Sequence, residues 1–285
     1  TVLYGGKALK VGRVQTPTLA MLVDRESKIM NFKKEAYYMA HIMGNGLDAV
    51  SEHISDKTEA DRIAETCENG QALVTSVVKE EKWVAPPKLY DLTTLQRDAN
   101  RLFGFTAKQT LEYTQSLYEK KLVTYPRTDS QYLSDDMEGT AKNVIEAIFN
   151  SLLFEQNIMF NPDIKRILNS KKVTDHYAII PTGQQVSLSG NEAIVYDLIV
   201  RRFVSIFMDP AVYKKLSITE VTTDGKFRFY ASGSTLVSPG FLECVGIPQS
   251  NSSLPNGVNS LVKGNDYPAT YNIAEGETKP PARYT

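Results

Sequence analysis

The sequence predicts a mixed α and β, multidomain fold, and three observations carry that reading. The middle of the chain holds capping boxes followed by apolar residues three or four apart, a helical signature. Its flanks hold short runs rich in β-branched and aromatic residues, two of them separated by the hairpin signal Asp224-Gly225. With 285 residues and 42% hydrophobic content, the chain has room for one large domain or two to three small ones with buried cores.

Taken in order, Thr16 is a good N-cap and Pro17 suits the first helical position. A helix over 16–30 is predicted to bury Leu19, Leu22, Val23, the stem of Glu26 and Ile29. Residues 36–43 and 72–78 read as strands. Between them Asp56 caps a helix that ends near Asn69-Gly70, with Ala60, Ile63, Ala64 and Cys67 inward. Residues 94–103 then form a helix, Gly104-Phe105 breaks it, and Thr106-x-x-Gln109 opens a second one whose inner face is Ala107, Leu111, Thr114 and Tyr118. This pair leads directly into the extended run Leu122-Val123-Thr124-Tyr125. Ser134 caps a helix reaching Leu153. Ser189-x-x-Glu192 is a further capping box, opening a helix lined by Ile194, Val195, Leu198, Ile199, Phe203 and Ile206. Strands over 216–221 and 226–232 flank Asp224-Gly225, and Gly- and Asn-rich residues 250–265 read as loops.

No apolar run approaches 18 residues, so no membrane span is predicted. The first residues lack an apolar core ahead of their charges and do not form a signal peptide. Cys67 and Cys244 offer neither a disulfide framework nor zinc spacing; they fit a reducing compartment as small buried hydrophobes. Net charge is −1, which does not by itself point to nucleic acid. The charge is uneven, however. Residues 1–34 hold Lys7, Lys10, Arg13, Arg25, Lys28, Lys33 and Lys34 against Asp24 and Glu26, a net of +5, and Lys165, Arg166, Lys171 and Lys172 form a second basic cluster. Such clusters either neutralise phosphates or form a solvated face.

The stretch richest in chemistry is Thr124-Tyr125-Pro126-Arg127-Thr128-Asp129-Ser130. Proline fixes its own φ and pushes the preceding residue toward an extended conformation. Residues i and i+2 of an extended segment point to one side, so the phenol of Tyr125 and the guanidinium of Arg127 can face one substrate. A phenol with a pKa of about 10 is a weak nucleophile at neutral pH, and a fixed cation beside it favours the phenolate. Arginine also offers a planar fork that fits phosphate oxygens. The tripeptide therefore suits attack on a phosphodiester. Alone it more readily describes a turn with a buried tyrosine and a surface arginine.

Two further motifs change the balance: Gly12-Arg13-Val14-Gln15-Thr16-Pro17-Thr18-Leu19 before the tyrosine, and Thr174-Asp175-His176-Tyr177-Ala178-Ile179-Ile180-Pro181-Thr182 after it. In this order the three resemble the type IA DNA topoisomerases, and the wording Gln15-Thr16-Pro17-Thr18-Leu19 is most like the topoisomerase III branch. The resemblance covers essentially the whole chain. It implies a winged-helix, catabolite-activator-like catalytic domain inserted in a β-rich gate domain, parts of a toroidal core. The implied divisions are 1–32, the start of a helical DNA-binding domain; 33–88, the first part of the gate; 89–207, the catalytic tyrosine domain; and 208–285, the second part of the gate with a truncated return to the helical domain.

The resemblance also implies roles. Tyr125 is the nucleophile, forming a 5′-phosphotyrosyl link that cuts one strand and is resealed without ATP. Arg127 pairs with the scissile phosphate and stabilises developing charge. His176 supports the phosphate or its hydrogen-bond network, against the plainer reading of a satisfied core histidine. Arg13 grips the DNA backbone and Gln15 bonds to phosphate or sugar. Thr94 and Gln96, in Leu92-Thr93-Thr94-Leu95-Gln96, contact strand backbone near Tyr125, although N-capping explains the threonines equally well. Asp129 either orients Arg127 or is an exposed loop carboxylate, and Trp83 and the tyrosines either stack on unpaired bases or fill the core.

The expected partner is single-stranded or negatively supercoiled DNA, with no membrane and no small-molecule cofactor, in a cytoplasmic, nucleoid-associated enzyme. The chain reads as a central fragment without the family's N-terminal metal-binding domain and C-terminal end. No Asp-x-Asp-x-x-Glu pattern occurs. Mg²⁺ is expected in the intact enzyme on ligands outside this fragment, with no metal ligand here, and the fragment alone is expected to be inactive. The competing reading is a non-catalytic winged-helix DNA-binding module, which leaves the Tyr-Pro-Arg and histidine motifs unexplained. A tyrosine recombinase would need a His-x-x-Arg phrase, and His41, His53 and His176 are followed at that spacing by Gly, Asp and Ile.

Overall fold

A computed structural model describes residues 12–44, 46–67, 71–149, 164–184, 186–222, 227–246 and 261–284. Lys7, Lys10, Asn69-Gly70, Leu153, the Asp224-Gly225 tip and most of the 250–265 loop lie outside the described residues. The chain divides into two compact units. The first joins residues 1–78, 216–233 and 254–285; the second joins 79–215 and 234–253.

The first unit is built on a seven-stranded sheet. Its strands are β1 (Ala36–Gly44), β2 (Leu47–Val50), β3 (Gln71–Val84), β4 (Ala211–Thr222), β5 (Arg228–Ser238), β6 (Asp266–Pro268) and β7 (Thr270–Glu277), in the order β6-β3-β4-β5-β2-β1-β7. The chain passes between the units within β3, β4 and β5. β1 pairs antiparallel with β7 from Ala36↔Glu277 to Met43↔Thr270 and with β2 from His41↔Val50 to Gly44↔Leu47. Alternation along β1 buries Ala40 and Ile42, and along β2 Leu47 and Ala49, as a period of two requires. A Cβ on Gly44 would stand 2.7 Å from the Tyr267 ring, so β1 needs glycine at its end.

Helix α2 (Lys57–Cys67) packs on this sheet through Ala60, Ile63 and Cys67. Asp56 Oδ1 accepts from Thr58 N–H at 3.0 Å, the predicted cap. Each large apolar side chain buried here, Ile42 and Phe229 among them, contributes about 1.5–3 kcal/mol.

Helix α1 (Gln15–Met30) corrects the sequence reading. Val14 stands at the N-cap, Thr16 lies inside the helix, and no residue of α1 is buried. Leu19, Leu22 and Val23 are 62%, 48% and 60% exposed. The reason is local: among the described residues, neighbours reach only the second half of the helix, where Arg25, Glu26 and Ile29 are half-buried. There Arg283 pairs with Glu26 through two bonds, and Arg25 donates to the Ala282 carbonyl and lies over the Tyr284 ring.

The second unit is helical. Its members are α3 (Leu92–Phe103), α4 (Ala107–Glu119), α5 (Glu138–Phe149), α6 (Gly190–Ser205) and the single turn α7 (Leu242–Val245). Asp91 caps α3, Gly104 closes it in the left-handed conformation (φ 72°), and Thr106 with Gln109 forms the predicted capping box of α4. The buried face of α4 is Thr110, Thr114 and Leu117, rotated from the predicted one; Ala107 and Tyr118 are exposed. α6 runs through the core and buries Val195, Tyr196, Ile199, Val200, Phe203 and Val204, with Ile206 just beyond its end. Its predicted capping box does not form. Ser189 makes no side-chain cap, because Glu192 turns to Ser116 (2.8 Å) and Lys120 on and after α4, where a cation holds its carboxyl below the ordinary range. Ser134 likewise makes no side-chain cap; a 3₁₀ turn over Asp135–Met137 precedes α5.

Candidate active site

The Tyr125 segment follows α4 without a linker. Lys120 ends the helix, and Lys121 turns the chain in the left-handed region (φ 62°) with its N–H bonded to the Tyr118 carbonyl. From Leu122 the backbone is extended and zipped to the later motif. Leu122 O accepts from Thr182 N (3.0 Å), Val123 bridges Pro181, and Thr124 N donates to Ile180 O (3.0 Å). Threonine side chains close the gaps that the backbone leaves. Thr124 Oγ1 donates to Ala178 O (2.9 Å) and accepts from Ile180 N (2.9 Å), while Thr128 Oγ1 donates to His176 O (2.8 Å).

Burial along this segment alternates with period two. Pro126, Thr128 and Ser130 are buried; Tyr125 is half-buried, and Arg127 and Asp129 are exposed. Phenol and guanidinium therefore stand on one side, as the extended reading requires.

The Tyr125 ring is held between two others. Tyr118 meets it edge-on, with centroids 5.4 Å apart at 80°, and His176 lies tilted against it at 4.3 Å and 46°. Among the described residues, the Tyr125 hydroxyl, the Arg127 guanidinium and the His176 ring nitrogens make no hydrogen bond or ion pair. The site thus presents a hydroxyl, a permanent cation and an imidazole whose polar atoms are not engaged by the protein, the arrangement an anionic substrate needs.

Of the sequence-predicted residues, the fold brings together Tyr125, Arg127 and His176. Asp129 does not pair with Arg127; its Oδ1 accepts from Thr174 Oγ1 at 2.9 Å. Thr94 is engaged in the α3 cap, receiving and giving bonds with Asp91. Gln96 Nε2 donates to Ala107 O at 2.9 Å and ties α3 to the start of α4. Arg13 and Gln15 are exposed at the start of α1, in the first unit. Trp83 is 64% exposed, so it is not core, whereas Cys67 and Cys244 are both buried and form no disulfide.

Tyr118, Thr124 and Thr128 were not singled out by sequence. A signal existed for Thr128, since the extended spacing that turns Arg127 outward turns Thr128 inward. Nothing local marked Thr124 as the clamp on a segment some fifty residues later, at Ala178 and Ile180.

Among the described residues, no three His, Cys, Asp or Glu side chains gather to hold a metal ion, and no helix is long and apolar enough to cross a membrane.

Comparison with known proteins bears on this geometry. The sequence profile of the DNA topoisomerase family matches residues 2–285. DNA topoisomerase 3 of Shouchella clausii is 37% identical across 97% of this chain, and that of Bacillus subtilis 36% across 97%; in each case the match covers 40% of the relative. Full-length topoisomerase I from Thermotoga maritima superposes with a TM-score of 0.72 at 27% identity, over 98% of this chain and 47% of that one. The chain therefore spans about two fifths of the length of its curated relatives.

Proposed function

Since this chain belongs to the type IA DNA topoisomerases and is most like topoisomerase III, we propose that it carries the strand-cleaving centre of such an enzyme, with Tyr125 as nucleophile. The observation that carries the reading is Tyr125 standing outward beside the unpaired Arg127 and 4.3 Å from the His176 ring.

The chemistry balances as a transesterification. The Tyr125 oxygen bonds to the backbone phosphorus and gives up its proton; the bond from phosphorus to the 3′ oxygen breaks, and that oxygen leaves as a 3′-hydroxyl after taking up a proton. Arg127 offsets the charge gathering on the non-bridging oxygens, and His176 orients the phenol and hydrogen-bonds to phosphate. The phosphotyrosyl ester retains the energy of the broken linkage, so the 3′-hydroxyl reseals it without ATP. Mg²⁺, which this reading assigns to the intact enzyme, fits no cluster among the described residues, and no step here passes through it.

Within the same reading, residues 89–207 form the catalytic domain, inserted between gate segments 33–88 and 208–285, with 1–32 opening a helical DNA-binding domain. Helices α3 and α4 with the extended 121–128 segment act as a winged-helix unit whose wing position carries the nucleophile. Arg13 and Gln15 hold DNA backbone; Thr94 and Gln96 contribute through their placement of α3 and α4. The substrate is single-stranded or negatively supercoiled DNA and the setting cytoplasmic, nucleoid-associated. This chain alone is not expected to relax DNA.

The test is the polarity of the covalent product. The full-length protein is trapped with a single-stranded oligonucleotide carrying label at its 3′ or its 5′ end. A denaturing gel should show labelled protein with the 3′ label alone. Labelled protein with the 5′ label, or none with either, refutes the assignment.

A further inference from the structure

The second basic cluster of the sequence does not act as one surface. Arg166 donates to the Ile206 carbonyl (3.2 Å) and anchors the end of α6, and Lys165 faces Glu138 on α5. Lys172 goes elsewhere: its ammonium stands 4.9 Å from the ring centre of Tyr132, where Lys88, from a separate segment, stands at 5.2 Å.

Two ammonium groups thus converge on one phenol. Among the described residues, neither makes an ion pair with a carboxylate. Like charges gathered without a counter-ion repel one another, and an arriving anion relieves that repulsion. The Tyr132 phenol is held below the ordinary tyrosine value, chiefly by the Lys88 ammonium beside it; burial opposes this, and Lys172 adds a lesser lowering.

The cluster is also built in from beneath. Ser130 Oγ holds the Lys172 carbonyl (2.8 Å), Arg202 holds the Lys88 carbonyl (3.2 Å), and Ala178 N–H holds the Tyr132 carbonyl (3.0 Å). A solvated lysine face needs no such fixing of three backbone positions. Ser130 and Ala178 lie on the two segments that carry Tyr125 and His176, joined also through Thr128 and the His176 carbonyl, while Arg202 reaches Lys88 from α6.

We propose that Lys88, Tyr132 and Lys172 form a phosphate-binding subsite that grips the backbone of the strand on which Tyr125 acts, at a phosphate other than the scissile one. Naming DNA as the source of that phosphate rests on the reading of Tyr125 as nucleophile; the anion site itself does not.

Two measurements test it. In the first, binding of a labelled oligo(dT) strand is followed over a range of KCl concentrations. Each phosphate contact on a single strand contributes about 0.7 to the slope of log K against log salt. The double variant Lys88→Gln/Lys172→Gln should lose about 0.7 of that slope, the share of the one phosphate the pair grips. The Lys→Arg pair should keep it, and Tyr125→Phe should leave it unchanged. An unchanged slope in the Gln pair overturns the proposal. In the second, the Tyr132 phenol is titrated by absorbance, as the difference between the unaltered protein and Tyr132→Phe. Inorganic phosphate or oligo(dT), but not chloride at equal ionic strength, should move it back toward the ordinary tyrosine value. If neither moves it, the anion site is refuted. If phosphate moves it and oligo(dT) does not, DNA is the wrong source and the proposal fails in that form. Failure of the Tyr125 assignment reads differently: the slope loss persists, and no covalent product forms.

Discussion

Thr124 holds both sides of the segment it faces, donating to the Ala178 carbonyl and accepting from the Ile180 N–H, each at 2.9 Å. One hydroxyl thereby fixes the extended run that ends in Tyr125 against the run that begins at His176. Thr124→Val keeps the shape and loses both bonds. It should lower stability by about 1–3 kcal/mol, the cost of leaving buried polar groups unpaired, read as a fall in the denaturant midpoint. Covalent product should fall with it, and Thr124→Ser should restore both.

A second clamp sits behind the site. Arg202 on α6 pairs with Asp98 on α3, donates to the Tyr90 hydroxyl (3.1 Å) and stacks over the Tyr90 ring at 4.1 Å. Burial holds the Tyr90 phenol well above the ordinary tyrosine range. Replacing Arg202 with Met leaves half-buried Asp98 with only the exposed Arg101 and the Tyr90 hydroxyl as partners, and about 1–3 kcal/mol of stability should be lost. Asp98→Asn added to Arg202→Met should return part of it, which a double-mutant cycle by chemical denaturation measures.

How much of this was legible in the sequence depends on the range over which each feature is decided. The placement of Tyr125 and Arg127 on one side of an extended segment and the capping box of Thr106 with Gln109 follow from neighbours within three residues, and the structure shows both. The Ser189 box fails because Glu192 finds a distant cation and a serine instead of its own helix start. The apolar residues of α1 read as a core stripe, yet burial depends on what packs against the helix, and pattern alone does not specify that. Strands β2, β6 and β7 went unread because pairing, rather than local propensity, decides them.

Burial also sets an alkaline limit. It pushes the Cys244 thiol up from 9.0 to about 11, with Arg201 opposing and Asp197 reinforcing the shift. A folded pKa above the unfolded one means that the stabilisation is complete below pH 9 and is lost as pH rises from about 9 toward 11. Thermal midpoints should therefore fall across that window, and Cys244→Ala should flatten the fall there. At neutral pH the folded protein should resist thiol reagents at both cysteines, which are buried.

The central claim is that one particular phenol takes the phosphate, and Tyr118 stands only 5.4 Å from it. The most direct measurement is peptide mapping by mass spectrometry of the covalent product, after nuclease has trimmed the attached strand. The account predicts a nucleotide joined through its 5′-phosphate to Tyr125. A nucleotide on Tyr118 or any other side chain, or no modified peptide from protein that binds the strand, would contradict it.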